Sequence, residues 1–107
     1  MIDAKVGSVT GTAAEIIVEL GFKPSYILLQ ELDTYNKLEY WDSLTNGTGL
    51  ETAAATGIIT LDATNGIETY DSYFDDTTGV SFAEGFKIEA GANVNVDTAT
   101  IVYLAVR

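Results

Sequence analysis

Carboxylates and phenols are the reactive side chains of this chain: sixteen aspartates and glutamates and six tyrosines, with a single tryptophan. Carboxylates serve as general acids and bases, or as oxygen ligands for calcium. Tyrosine and tryptophan anchor interfaces and stack on sugars. Histidine and cysteine are missing from all 107 residues. The commonest general base, the commonest zinc ligand, thiolate chemistry and a disulfide framework go with them. A Ser/His/Asp or Cys/His set is therefore excluded, and no spacing singles out a carboxylate pair. Glu15, Glu19, Glu39, Asp62 and Glu68 fall at alternating or turn positions, where a solvated face explains them. The chain is expected to be no enzyme, with no cofactor and no resident metal.

Two acidic stretches bear on calcium. Asp71-Ser72-Tyr73-Phe74-Asp75-Asp76 concentrates three carboxylates before Thr77, Thr78 and Gly79, without the D-x-[DN]-x-[DN]-G order of a calcium loop. Asp62-Ala63-Thr64-Asn65-Gly66 comes nearer, but lacks the third ligand and the distal bidentate glutamate. An acidic turn without an ion is the plainer reading of both. Titration with millimolar calcium that gave neither heat nor a change in melting temperature would remove the calcium alternative.

The aromatic residues carry more information. Tyr35, Tyr40, Trp41, Tyr70, Tyr73 and Phe74 lie near expected strand ends and loops. Trp41 sits within an alternating strand and is expected to cap the core. Tyr73 and Phe74 stand in an acidic loop that suits a core or an interface equally. Loops 33–41 and 70–78 are the expected contact surface, with Tyr35, Tyr40, Tyr70, Tyr73, Phe74, Asp75 and Asp76 as its residues. Asn46-Gly47-Thr48 has the form of a glycosylation acceptor and reads more simply as a turn.

Charge excludes two partner classes. Five basic residues against sixteen acidic ones leave −11 at pH 7. Nucleic-acid binding needs lysine and arginine to neutralise phosphates, and an anionic membrane surface repels such a chain. MIDAKVGSVTGTAAE lacks the basic start and apolar core of a signal peptide, and no apolar run reaches the roughly 20 residues of a membrane span. The expected setting is intracellular, or outside the cell after lysis.

The elements that position these side chains read as strands. IIVELGFKPSYILLQEL, residues 16–32, places Gly21 and Pro24 between two apolar bursts, and proline inside a helix costs about 3 kcal/mol. Two core strands around a turn at 21–24 are expected, with Tyr26-Ile27-Leu28-Leu29 buried on both faces. Leu38 to Trp41 and Phe86 to Glu89 alternate, and Ile101 to Val106 is a nearly all-apolar strand. Ile58 to Leu61 and Ile67 to Tyr70 are expected to pair as a hairpin, since Asn65-Gly66 suits a type I′ turn. Leu50 to Ala55 reads as a loop with at most one helical turn. The fold class is all-β: a single compact antiparallel β-sandwich, jelly-roll-like, over residues 1–107, with 1–12 a candidate extended N-terminal arm.

An ordered set of words then stands out: Gly21-Phe22-Lys23-Pro24-Ser25-Tyr26-Ile27, Tyr40-Trp41, Gly66-Ile67-Glu68-Thr69-Tyr70, Gly85-Phe86-Lys87-Ile88 and Val102-Tyr103-Leu104-Ala105-Val106-Arg107. Across residues 15–107 this resembles a group of small tailed-phage virion proteins with a GFKPxY word. The loops Asp71–Thr78 and Gly91–Asp97 depart from that pattern, and the chain ends Ala105-Val106-Arg107 where Ala-Phe-Arg is the more familiar close. The resemblance implies a non-enzymatic bacteriophage structural protein, a capsid decoration (auxiliary or cement) protein. It would be made in the host cytoplasm and bound to the outer surface of the major capsid protein, stabilising the shell. Self-association is also implied, a trimer among the arrangements admitted. The alternative is a tail-fibre or lectin-like module that binds a receptor or glycan.

Overall fold

The computed structural model describes residues 3–107, and the first two residues of the candidate arm lie outside them. The eleven strands are β1 (Ala4–Thr10), β2 (Ile16–Glu19), β3 (Tyr26–Glu31), β4 (Lys37–Trp41), β5 (Gly49–Thr52), β6 (Ile59–Asp62), β7 (Ile67–Tyr70), β8 (Tyr73–Asp75), β9 (Val80–Phe82), β10 (Gly85–Ile88) and β11 (Thr100–Val106). The fold is all-β and antiparallel. One sheet has six strands in the order β1-β11-β3-β4-β5-β6, a second has three in the order β2-β10-β7, and β8-β9 is a separate hairpin. Residues 4–10 of the candidate arm are thus a full strand laid along β11, with Ala4 opposite Val106 and Thr10 opposite Thr100.

The connections nest as in a jelly roll. β1 pairs with β11 in the large sheet while β2, next in the chain, pairs with β10 in the small one. β3 returns to β11, and β7 to β10. The place beside β3 that a distant strand fills in a jelly roll is held by its own hairpin neighbour β4.

Alternation on facing strands builds the core between the sheets. Ile27, Leu29, Leu38 and Ile101 of the large sheet and Ile67, Phe86 and Ile88 of the small one are all 0% exposed. Phe86 meets Tyr103 edge to face across the interior, ring centroids 5.7 Å apart. Ala92 and Val94 from the β10–β11 connection join the same cluster.

The structure bears out one sequence reading and corrects three. Residues 16–32 form the two strands expected around a turn at 21–24, and that turn carries the chain from one sheet to the other, β2 pairing with β10 and β3 with β11. Buried Phe22 and Pro24 seat that crossing on the core. β3 is not buried on both faces: Ile27 and Leu29 point inward while Tyr26 and Leu28 look outward, partly exposed. β6 and β7 are not a hairpin, since β6 pairs with β5 and β7 with β10. The Asp62 carboxylate accepts the N–H groups of Thr64 and Asn65 at 3.0 and 2.9 Å, a turn that sends the chain to the other sheet. Finally, the expected loop at Leu50 begins as strand β5.

Two asparagines supply hydrogen bonds that strands would otherwise make. Asn95, 6% exposed, accepts from the Thr12 and Ala13 N–H groups and donates to the Ala14 and Glu89 carbonyls, fixing the β1–β2 crossing. Asn46 accepts from the Thr69 N–H at 2.7 Å and donates to the Thr69 carbonyl at 3.0 Å, replacing a neighbour at the open edge of β7. The amide of the formal glycosylation motif is thereby occupied.

Glu31 is the buried carboxylate, 0% exposed. It caps the β3–β4 loop, accepting the N–H groups of Asp33 and Thr34 and the Thr34 hydroxyl. Burial pushes its carboxyl up, but the Thr34 hydroxyl and the backbone of Thr34, Asp33 and Asn36 outweigh it and hold the group below its ordinary 4.5. Glu51 and Glu89 are pushed up instead, first by burial and then by neighbouring acids, Asp62 for Glu51 and Glu15 and Glu68 for Glu89. A depressed carboxyl stabilises the fold above its unfolded value, and that stability is lost as pH falls through the folded one; a raised carboxyl destabilises the fold once ionised. Melting temperature is therefore expected to rise on acidification from pH 7 as Glu51 and Glu89 protonate. It should then fall below pH 4.5 as Glu31 does. A scan of melting temperature against pH checks this, and Glu31→Gln should lose the low-pH fall.

Candidate interaction surface

The two sheets differ in their outward faces. On the small sheet the outward positions include Ile17, Glu19, Glu68, Tyr70 and Lys87, and the β8–β9 hairpin sets Tyr73 against Tyr70 and Lys87. Tyr73 meets Tyr70 edge to face at 5.3 Å and stacks on Phe82 at 4.9 Å. Lys87 Nζ sits 5.7 Å from the Tyr70 ring and 5.1 Å from that of Tyr73, a cation over two aromatic faces.

The large sheet turns an apolar face to solvent. The register aligns Val6, Leu104, Leu28, Glu39, Leu50 and Leu61 in one row across all six strands. The next row holds Ala4, Val106, Tyr26 and Trp41. Lys37 and Glu39 are the only charged residues at the outward positions of these strands, and they pair with each other at 3.4 Å. Glu39 also accepts the Tyr26 hydroxyl at 2.8 Å. Burial, that hydrogen bond and the Glu39 charge push the Tyr26 hydroxyl pKa up, so it remains a donor. Such a face covers roughly 450 Å² at ordinary strand spacing and rise, in the size range where apolar patches mark interaction sites. A shallow groove of about 540 Å³ runs along it between Val6, Ser8, Leu28, Gln30, Val102 and Leu104.

The residues expected as a contact surface are dispersed. Tyr40 is 3% exposed in the core, pointing inward from β4, and presents no surface to a partner. Tyr70 is 8% exposed beneath the β8–β9 hairpin, its hydroxyl 3.4 Å from the Val18 carbonyl. Burial first, then the neighbouring Tyr73 and Glu19, push its pKa up to about 12. Phe74 is 62% exposed and Asp76 exposed on the hairpin, with Tyr73 partly covered. Asp75, partly buried, spends one carboxylate oxygen on the N–H groups of Thr77 and Thr78. Tyr35 is 64% exposed but stands at the other end of the sandwich, since β3 runs away from Lys23, which pairs with Asp71 at 3.7 Å. Its φ of 65° is in the left-handed region, rare for a residue with a side chain. Trp41, expected to cap the core, is 38% exposed on the outer face beside Tyr26. Parity decides both cases: Tyr40 and Trp41 are neighbours, so only one of them can face inward.

The apolar row itself was missed in sequence. Its signal was the continuous apolar run in β3 and again in β11, which a strand covered on both faces also produces. Among the described residues no group of three or more acidic side chains converges on one point that could hold a metal ion. Compared with protein-family models, with curated proteins and with solved structures, the chain matches none.

Proposed function

We propose that this chain is a non-enzymatic docking protein of a phage virion, a capsid decoration protein that attaches through the outer face of its large sheet. The observation that carries the reading is that face: a nearly neutral apolar row in a chain of net charge −11. The net negative charge is carried by the rest of the surface, and the apolar face is where desolvation yields binding energy. The capsid setting comes from the ordered words between Gly21 and Arg107 that resemble tailed-phage virion proteins. The major capsid protein is the partner this implies.

Cryo-electron microscopy of the source virion tests the reading. Density for the chain in icosahedral order, with the Leu28–Leu104 face against the shell, is the expected result. Density at the tail tip alone would move the function to receptor binding, and absence from the virion would overturn it. Leu28→Glu places a charge at the centre of the face without entering the core. Its affinity for undecorated shells is expected to fall about a hundredfold, the scale of one interface hot spot. Cosedimentation checks this, with an unchanged melting temperature as the control.

A further inference from the structure

The large sheet ends in two free edges, β1 on one side and β6 on the other. β6 hydrogen-bonds only to β5, and Ile58, Ile59 and Leu61 beside this edge are 62, 65 and 54% exposed. A free edge is a template for another strand, and proteins commonly guard it with lysine, proline, a bulge or a cover. Ile59–Asp62 has no lysine and no proline, and its register against β5 is unbroken.

Bonds on the paired side tell which backbone groups are free. Ala53 N–H donates to the Ile58 carbonyl, so Ile58, Thr60 and Asp62 bond toward β5, and Ile59 and Leu61 direct their N–H and C=O groups outward. Arg107 N–H donates to the Asp3 carbonyl and Gly11 N–H to that of Ala99, so Ala4, Val6, Ser8 and Thr10 are the residues of β1 with outward groups. Every neighbouring pair in the sheet is antiparallel, so β1 and β6 run in opposite directions. A second copy set beside the first, outer faces level, brings β1 to β6 antiparallel with their free groups facing.

We propose that copies of this chain join edge to edge, β6 of one pairing with β1 of the next, with Leu61 opposite Val6 and Asp62 opposite Lys5. In this register Leu61–Val6 and Ile59–Ser8 are the hydrogen-bonded pairs. The apolar row continues from Leu61 into Val6 of the next copy. Lys5 is exposed and makes no ion pair among the described residues. Asp62 raises the Glu51 carboxyl as the second cause after burial, an acidic pair that the incoming lysine neutralises. A slip of two residues one way sets Asp62 against Asp3, and the other way sets Leu61 against Ser8. Pairing of two β1 edges in full overlap sets Lys5 against Val9, and pairing of two β6 edges brings no lysine to Asp62. The contact is head to tail, so it closes into a ring or runs on as a filament. This inference goes beyond the capsid reading and does not depend on it.

The chain has no cysteine, so introduced thiols report cleanly. Hydrogen-bonded antiparallel positions lie about 5.5 Å apart at Cα, within disulfide reach. Full-length Val6→Cys and Leu61→Cys proteins, mixed at physiological salt under mild oxidation, are expected to give a covalent dimer that neither gives alone. The double variant should give a ladder of multiples. Lys5→Glu should weaken association of the wild-type chain at least tenfold by light scattering, with its melting temperature kept, and Lys5→Arg should preserve association. A mixture that stays uncrosslinked overturns the proposal. Crosslinking within either single variant overturns it too, by showing like edges paired.

Discussion

Alanine at Gly66 is expected to lower the melting temperature by about 12–24 °C, from a loss of about 3 kcal/mol in a domain of this size. Gly66 does not have a positive φ, so its backbone conformation suits any residue. Space is the constraint. A Cβ there would lie 2.0 Å from the Thr48 carbonyl carbon and 2.1 Å from its oxygen. Those atoms are backbone and cannot rotate away. Ile67 N–H donates to that same Thr48 carbonyl at 2.9 Å, and Gly66 N–H to the Gly47 carbonyl at 3.1 Å. Relieving the clash therefore breaks the bonds that hold the start of β7 to the loop before β5. Gly79→Ala is the contrast. Its φ is 74° and its Cβ would meet open space, so only the left-handed conformation is penalised, by about 1–2 kcal/mol. Thermal melts of the two variants separate the cases. Equal losses would show that the backbones do not cross closely at Gly66.

Phe86→Ala is expected to cost about 3–5 kcal/mol, the range for deleting a buried aromatic ring. Small domains hold about 5–15 kcal/mol in all, so this variant stands near the threshold of folding. Phe86 lies in the middle strand of the small sheet, opposite Val18 on one side and Thr69 on the other. Its ring is 0% exposed and meets Tyr103 of the large sheet. Removing it takes away the contact between sheets and leaves Tyr103 edged against a void. Phe86→Leu should cost distinctly less. Urea unfolding checks both, with an unchanged slope showing that native stability has moved and not the denatured state.

The strands and their kind were written in local sequence. β-branched and aromatic runs between glycine, asparagine and proline breaks mark β2, β3, β4, β10 and β11, because these preferences act within a few residues. Alternation placed Phe86 and Ile88 on one face, since successive side chains in a strand point opposite ways. The lack of histidine and cysteine and the net charge removed whole classes of chemistry before any fold was known.

Partnership was decided by the tertiary structure. β2 and β3 are neighbours in sequence and occupy different sheets; so do β6 and β7, despite the Asn65-Gly66 pair between them. Local turn preference is worth little beside burial of a whole sheet face, and Gly66 serves a close backbone approach instead of a tight hairpin. The candidate surface was hidden for a related reason. Alternation shows that two faces differ but does not say which one is covered, and β3 and β11 are apolar on both. The tertiary structure lays the small sheet against one face of the six-stranded sheet and leaves the other face bare. That choice separates inward Tyr40 from outward Trp41, buries Glu31, and leaves Ile59 and Leu61 on an open edge. Each depends on which distant strands meet, and no short stretch of sequence contains both sides of such a contact.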